Sequence, residues 1–263
     1  MKALNLQHLA IILDGNRRWG KQRGLKMSAD FYIQSGLLGL EVAQVVFEHG
    51  IPNLSIWIGS VKNLTERPAL ELEALNKAYS KFFSDKSNIE FLRKRQIGVE
   101  CIGRWRDLLK PETVKVIEKT LTKTAEFSDS GRRLTVLLGY DGAEERGAAL
   151  KSILSKVSEV YNDDNEQRRN DFFTRELPTL AESDLIKSAD TLRKHSWTGH
   201  LPDVDLIIRT GVDGDPHNSA GFLSMLVDNT QYEFSETLWP DFTPELLNQV
   251  LDNFATRERR LGK

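Results

Sequence analysis

Apolar residues fall along this chain in short unbroken runs separated by longer stretches of helical period. Leu9 to Leu13 is the first run, with the length and β-branched content of a buried central strand. Leu37, Leu40, Val45 and Phe47 recur at helical spacing before a Gly50 stop, and Pro52 to Ile58 reads as the next strand. Between these, Trp19 to Gly24 reads as a cation-rich helix start or loop, and Leu25 to Gly36 as a less regular connection. Glu71 to Arg95 predicts one long amphipathic helix whose charge run is a solvated face. Ile97 to Ile102 alternates as a third strand, Pro111 to Phe127 is helical, and Arg133 to Tyr140 is another β-rich run. Glu144 to Val160 predicts a further helix. Tyr161 to Asn170, acidic and poor in apolar residues, reads as a mobile loop before helical period resumes from Phe172 to Leu192, broken at Pro178. Asp205 to Arg209 is the last clear buried strand, and Thr243-Pro244 caps a closing helix running to about Arg259. Strands alternating with helices imply βαβ units, hence an α/β fold with a mostly parallel central sheet surrounded by helices, read as a single domain over 1–263.

Composition narrows the function classes. A chain of 263 residues with 40% hydrophobic residues can bury a sizeable core. A net charge of −2 argues against a basic nucleic-acid surface while leaving local cationic pockets open. The single cysteine, Cys101, cannot form an internal disulfide, and no signal peptide or apolar run of spanning length is present. The expectation is a cytoplasmic protein, with any membrane contact peripheral.

The chemistry concentrates where the first strand ends, at Asp14-Gly15-Asn16-Arg17-Arg18-Trp19. Asp14 can hold a divalent cation, because Mg²⁺ prefers one or two carboxylates plus substrate phosphate oxygens. Gly15 lets backbone approach a phosphate, Arg17 and Arg18 offer fork-shaped donors, and Asn16 hydrogen-bonds without adding charge. Together these residues describe a diphosphate site; the bland alternative is a surface turn with solvated arginines. Arg209 ends a buried strand, where a cation needs an anion nearby, either a substrate or a structural carboxylate. His217, in a Gly- and Asp-rich loop without a second histidine at ligand spacing, reads as solvated, and His8 as structural.

The run HLAIILDGNRRWGKQRG closely resembles the first motif of the cis-prenyltransferases, the undecaprenyl diphosphate synthase family. Val204 to Gly211, then Leu238-Trp239-Pro240-Asp241-Phe242, then Arg257-Glu258-Arg259-Arg260, resemble that family's closing motifs in order. The resemblance covers nearly the whole chain and is weakest between about 157 and 200. It implies a parallel sheet with a hydrophobic tunnel, a homodimer, and a Mg²⁺-dependent transfer from an allylic prenyl diphosphate to isopentenyl diphosphate. By the motif match Asp14 would hold Mg²⁺, with Gly15, Asn16 and Arg18 on the allylic phosphates and Trp19 packing beneath the loop. Ser60 and Asn63 would lie near the reacting carbons. Arg67 matches a motif arginine after a one-residue insertion, and Arg209, Thr210 and Gly211 would bind the acceptor diphosphate.

Three departures accompany the match. Val212 to Gly221 runs about three residues longer than the family pattern and lacks its second diphosphate-binding arginine. Gln231 stands where the family has a metal-binding glutamate, and Glu233, two residues on, would share its face if the segment is a strand. Lys26 to Gly36 is about two residues longer than usual, and only Lys26 replaces a lost arginine's charge. Two further readings therefore stand beside ordinary elongation: an irregular coupling enzyme with another acceptor, and a non-catalytic subunit of an active relative.

Overall fold

The computed structural model describes residues 6–177 and 185–257. It divides into two compact units. The larger, Met1–Tyr140 with Pro202–Asn218 and Val227–Lys263, carries a six-stranded sheet. Its strands are β1 (His8–Ile12), β2 (Asn53–Ser60), β3 (Gly98–Ile102), β4 (Arg133–Tyr140), β5 (Leu206–Arg209) and β6 (Gln231–Phe234). All pair in parallel, in the order β3-β4-β2-β1-β5-β6. The five residues of β1 are all buried, as the unbroken apolar run predicts for a strand covered on both faces. β1 leads to β2 on one side, whereas its other neighbour, β5, leads to β6 on the opposite side. Connections thus diverge between β1 and β5, and in open parallel sheets that divergence opens a crevice at the strands' carboxyl ends.

Helices of this unit are α1 (Asn16–Gln22), α2 (Ala29–Glu48), α3 (Val61–Thr65), α4 (Ala69–Ser84), α5 (Lys86–Lys94), α6 (Trp105–Leu108) and α7 (Pro111–Thr124). Two readings need correction here. The segment taken as irregular from Leu25 is helical from Ala29, because Ser28 caps it by accepting from the Phe31 amide at 3.2 Å. The single helix expected from Glu71 to Arg95 is two, since Asp85 is extended (φ −63°, ψ 125°) and its carboxylate accepts from the Ser87 and Asn88 amides. A cap that starts a second helix outweighs the continuing apolar period.

The smaller unit, Asp141–Leu201 with Ser219–Leu226, holds α8 (Gly142–Tyr161), α9 (Glu166–Asp171) and α10 (Leu185–Lys194). The acidic stretch read as a loop is helical from Glu166, capped by Asn165 and continued by a π-turn over Phe172–Glu176. Pro178, the expected break, lies outside the described residues. Glu145 is fully buried and accepts from the Thr198 amide at 2.8 Å and its hydroxyl at 2.7 Å. Back in the larger unit, Thr243 accepts from the Leu246 amide and caps α11 (Pro244–Thr256), as its sequence predicts. No described helix is long and apolar enough to cross a membrane.

Candidate active site

The carboxyl ends of β1 and β5 carry the charges that the sequence marked as candidates. Asp14 follows β1, and Arg209 is the last residue of β5. An Arg209 terminal nitrogen lies 3.0 Å from Asp14 Oδ2, and its other one donates to the His217 carbonyl at 2.8 Å. The Arg209 side chain is 11% exposed and that of Asp14 38%, so the bridge joins a nearly buried cation to a carboxylate that solvent reaches. Arg209 Nε is buried without a hydrogen-bond partner among the described residues. Asp14 Oδ1 accepts from the Gly15 amide at 2.6 Å and sits 3.5 Å from Arg18, which also donates to the Gly211 carbonyl. Arg18 and Arg209 thus set two guanidiniums against one carboxylate, leaving this end of the sheet net positive, and Arg17, next to Arg18 on α1, is exposed.

The backbone around these charges is pinned from three elements. Asp14's carbonyl accepts from the buried Thr210 hydroxyl at 2.8 Å and from the Trp239 amide at 3.0 Å. The Gly211 amide donates to the Thr237 carbonyl at 2.8 Å. Gly15 has φ +105°, and a Cβ there would stand 2.8 Å from Leu238 Cδ2. Glycine is required twice over, by conformation and by the close approach of Leu238. Asn16 donates to the Leu13 carbonyl at 3.0 Å, and its own Oδ1 is buried without a partner among the described residues.

Other predicted residues lie in distinct local clusters. Trp19 is half-buried; its indole N–H donates to Asp241 at 2.7 Å, and the Arg23 guanidinium stacks 4.2 Å above its ring. It clamps the closing segment to α1 instead of filling the core. Lys26 is exposed and, with Trp19, Phe31 and Glu41, lines a cavity of about 660 Å³. Ser60 and Asn63 form a reciprocal capping box on α3: the Asn63 amide donates to Ser60 Oγ at 3.0 Å, and the Ser60 amide to Asn63 Oδ1 at 3.2 Å. Arg67 is paired with Glu71 at 2.9 Å, and the Tyr32 hydroxyl donates to the same carboxylate at 2.6 Å. Burial, then the bond to Glu71, hold the Tyr32 hydroxyl well above the usual phenol range. Tyr32 and Glu71 were not anticipated as neighbours of Arg67.

β6 is a strand, so Gln231 and Glu233 do share a face. Both meet Arg257, which is ion-paired with Glu233 and 3.5 Å from Gln231 Oε1. Among the described residues no group of three or more His, Cys, Asp or Glu gathers as a metal cage. A hard cation bound by a single carboxylate plus substrate phosphate fits Asp14 as placed, exposed enough to be reached and backed by hydrogen bonds.

Comparison with known proteins decides the family, because a family model described as "Putative undecaprenyl diphosphate synthase" matches residues 12–262. The chain belongs to the undecaprenyl diphosphate synthase family. Among relatives of this family, it is 32% identical over 262 residues to the farnesyl-diphosphate-specific ditrans,polycis-undecaprenyl-diphosphate synthase of Buchnera aphidicola, covering 98% of this chain and 92% of that one. It is 30% identical over 259 residues to an isoprenyl transferase of Thermus thermophilus, covering 98% and 89% respectively. Its fold is similar to lavandulyl diphosphate synthase from Lavandula x intermedia, solved with dimethylallyl diphosphate, at TM-score 0.79, 22% identity and 99% coverage of both chains. As an undecaprenyl diphosphate synthase-family protein, the chain is a prenyltransferase, an enzyme of isoprenoid biosynthesis that transfers alkyl groups other than methyl.

Proposed function

We propose that this prenyltransferase condenses an allylic prenyl diphosphate with isopentenyl diphosphate to give a cis-prenyl diphosphate, as a Mg²⁺-dependent, cytoplasmic homodimer whose membrane contact is peripheral. The observation that carries the reading is the Asp14–Arg209 bridge at the point where the sheet's connections diverge. The Buchnera relative is specific for farnesyl diphosphate and the lavender enzyme was solved with dimethylallyl diphosphate, both allylic diphosphates, which supports that substrate class.

In this reading the allylic C–O bond breaks, diphosphate leaves with the bonding pair, and C4 of isopentenyl diphosphate bonds to the allylic carbon. A proton lost from the acceptor regenerates a double bond. Asp14 would hold Mg²⁺, which when bound would offset charge on the departing diphosphate. Arg17, Arg18, Gly15 and Asn16 receive that diphosphate, and donors placed before reaction lower the barrier without reorganising. The oxygen of Asn16, without a partner among the described residues, accepts from a water held by the bound diphosphate.

Arg209, with Thr210 and Gly211 fixing its loop, takes the acceptor's diphosphate, its buried Nε gaining a first partner. Asn63's oxygen is held in the capping box, so its NH₂ is the group it can turn toward the reacting carbons, with Ser60 beside it. Arg67 reaches a phosphate by exchanging Glu71 for it, while Trp19 and Lys26 border the route in. Glu233 contributes a second carboxylate when Arg257 releases it.

A product assay tests the reading. Geranyl or farnesyl diphosphate with isopentenyl diphosphate and Mg²⁺ should give chain-extended cis product that requires the acceptor. Product from dimethylallyl diphosphate alone would replace it with irregular coupling, and no product under any condition would replace it with an accessory role.

A further inference from the structure

Tyr32, near the start of α2, closes a triangle of polar contacts with Arg67 and Glu71 at the start of α4. Arg67 donates to the Tyr32 hydroxyl at 3.2 Å and to Glu71 Oε1 at 2.9 Å, while the hydroxyl donates to that same carboxylate oxygen at 2.6 Å. The ion pair is nearly buried, the Arg67 side chain being 16% exposed and that of Glu71 12%. Arg67 Nε is buried without a hydrogen-bond partner among the described residues, so the guanidinium has a donor to spare.

What the triangle does follows from the exchange in which Arg67 leaves Glu71 for a phosphate. A nearly buried ion pair that loses one partner leaves an uncompensated charge, and that cost opposes the exchange. Two features lower it at Glu71. Its carboxylate belongs to the first turn of α4, where unpaired helix amides favour negative charge. The Tyr32 hydroxyl stays on Oε1 after the guanidinium turns away, and a hydrogen bond to an ionised acceptor is among the stronger kinds. Burial first, and then the bond to Glu71, hold this hydroxyl well above the usual phenol range, so it keeps its proton and goes on donating at neutral pH. We propose that Tyr32 is a positioning residue for Arg67: by holding Glu71, it releases the guanidinium to the diphosphate of the substrate. The assignment rests on Arg67 as a phosphate ligand in the reading above and adds the residue that sets its affinity.

Calorimetric titration of the full chain with farnesyl diphosphate, without acceptor or Mg²⁺, reads this affinity apart from turnover. Tyr32→Phe keeps the ring that packs against the core and removes only the hydroxyl, and urea unfolding checks that it stays folded. Its Kd should rise about tenfold or more, the scale of one hydrogen bond to a charged group. Glu71→Gln supplies the rescue. With both substitutions no carboxylate competes for Arg67, so the Kd should return to that of wild type, whereas a mere tie between α2 and α4 would not be mended by cutting it a second time. In an Arg67→Ala background Tyr32→Phe should add no further loss, because the hydroxyl acts through the guanidinium. Where Tyr32→Phe folds poorly, Glu71→Gln alone carries the test and should bind at least as tightly as wild type. An unchanged Kd in Tyr32→Phe, a loss that Glu71→Gln leaves in place, or weaker binding by Glu71→Gln alone overturns the proposal while leaving Arg67 as a phosphate ligand. Arg67→Ala binding as tightly as wild type overturns that underlying assignment and the proposal with it.

Discussion

Gly15→Ala isolates how tightly the catalytic loop is built. At φ +105° and ψ −7° the backbone lies outside the left-handed region that non-glycine residues tolerate, a strain of about 1–3 kcal/mol. The new methyl would also meet Leu238 at 2.8 Å from Cδ2 and 3.0 Å from both Cα and Cβ, so backbone as well as side chain must retreat. Overpacking of that kind costs about 1–3 kcal/mol. Gly24 supplies the control, with φ +63° and no atom within 4 Å of its would-be Cβ, so Gly24→Ala incurs only the conformational cost, about 1–2 kcal/mol. Urea and thermal unfolding should therefore show Gly15→Ala destabilised by roughly 2–5 kcal/mol, or about 5–15 °C, and Gly24→Ala by less. Because the Trp239 amide holds the Asp14 carbonyl at 3.0 Å, pushing Leu238 away also shifts the carboxylate. Turnover in Gly15→Ala should drop on the order of a hundredfold, as small misplacements of catalytic groups do. Equal stability of the two variants, or wild-type turnover in Gly15→Ala, would refute the close-approach reasoning.

Two further outcomes follow from other parts of the molecule. His8 is buried, its Nε2 2.8 Å from Ser55 Oγ and Nδ1 2.8 Å from the Pro202 carbonyl, and burial lowers its pKa below 6.5. Folded chain then binds fewer protons than unfolded chain between that lowered value and 6.5, so stability should rise with pH through this window and level off above it. Urea midpoints across the window should show that rise in wild type and lose part of it in His8→Asn; parallel profiles would count against it. Gln231→Glu restores a carboxylate beside Arg257, and should raise turnover several-fold at limiting Mg²⁺, read by Mg²⁺ titration. An unchanged titration would leave Glu233 as sufficient.

Local chemistry made much of this protein legible in its sequence. The β1 run reads as a doubly covered strand because every residue is apolar, and the Asp14 and Arg209 assignments follow from charges placed directly after such runs. The break at Asp85 and the helix start at Ser28 were lost because a cap is one residue's hydrogen bond, easily outvoted by periodicity around it. β6 is legible only as a condition, the face shared by Gln231 and Glu233 if the segment is a strand, because Gln231–Phe234 is short and only partly buried, with little apolar signal. Long-range pairings were out of reach in another way. Nothing along the chain says that Tyr32 and Glu71, 39 residues apart, share a hydrogen bond, or that Arg257 would take Glu233. By contrast, the capping box at Ser60 and Asn63 is local, and its residues could be read for structure or for catalysis from the same four positions.

Incorporation of labelled isopentenyl diphosphate, measured for wild type and Asp14→Asn with farnesyl diphosphate and Mg²⁺, bears most directly on the central claim. Wild type should yield an extended cis product, and Asp14→Asn, verified as folded, should fall by about a hundredfold or more. Incorporation within a few-fold of wild type would show that the carboxylate between β1 and β5 is not where the chemistry is done.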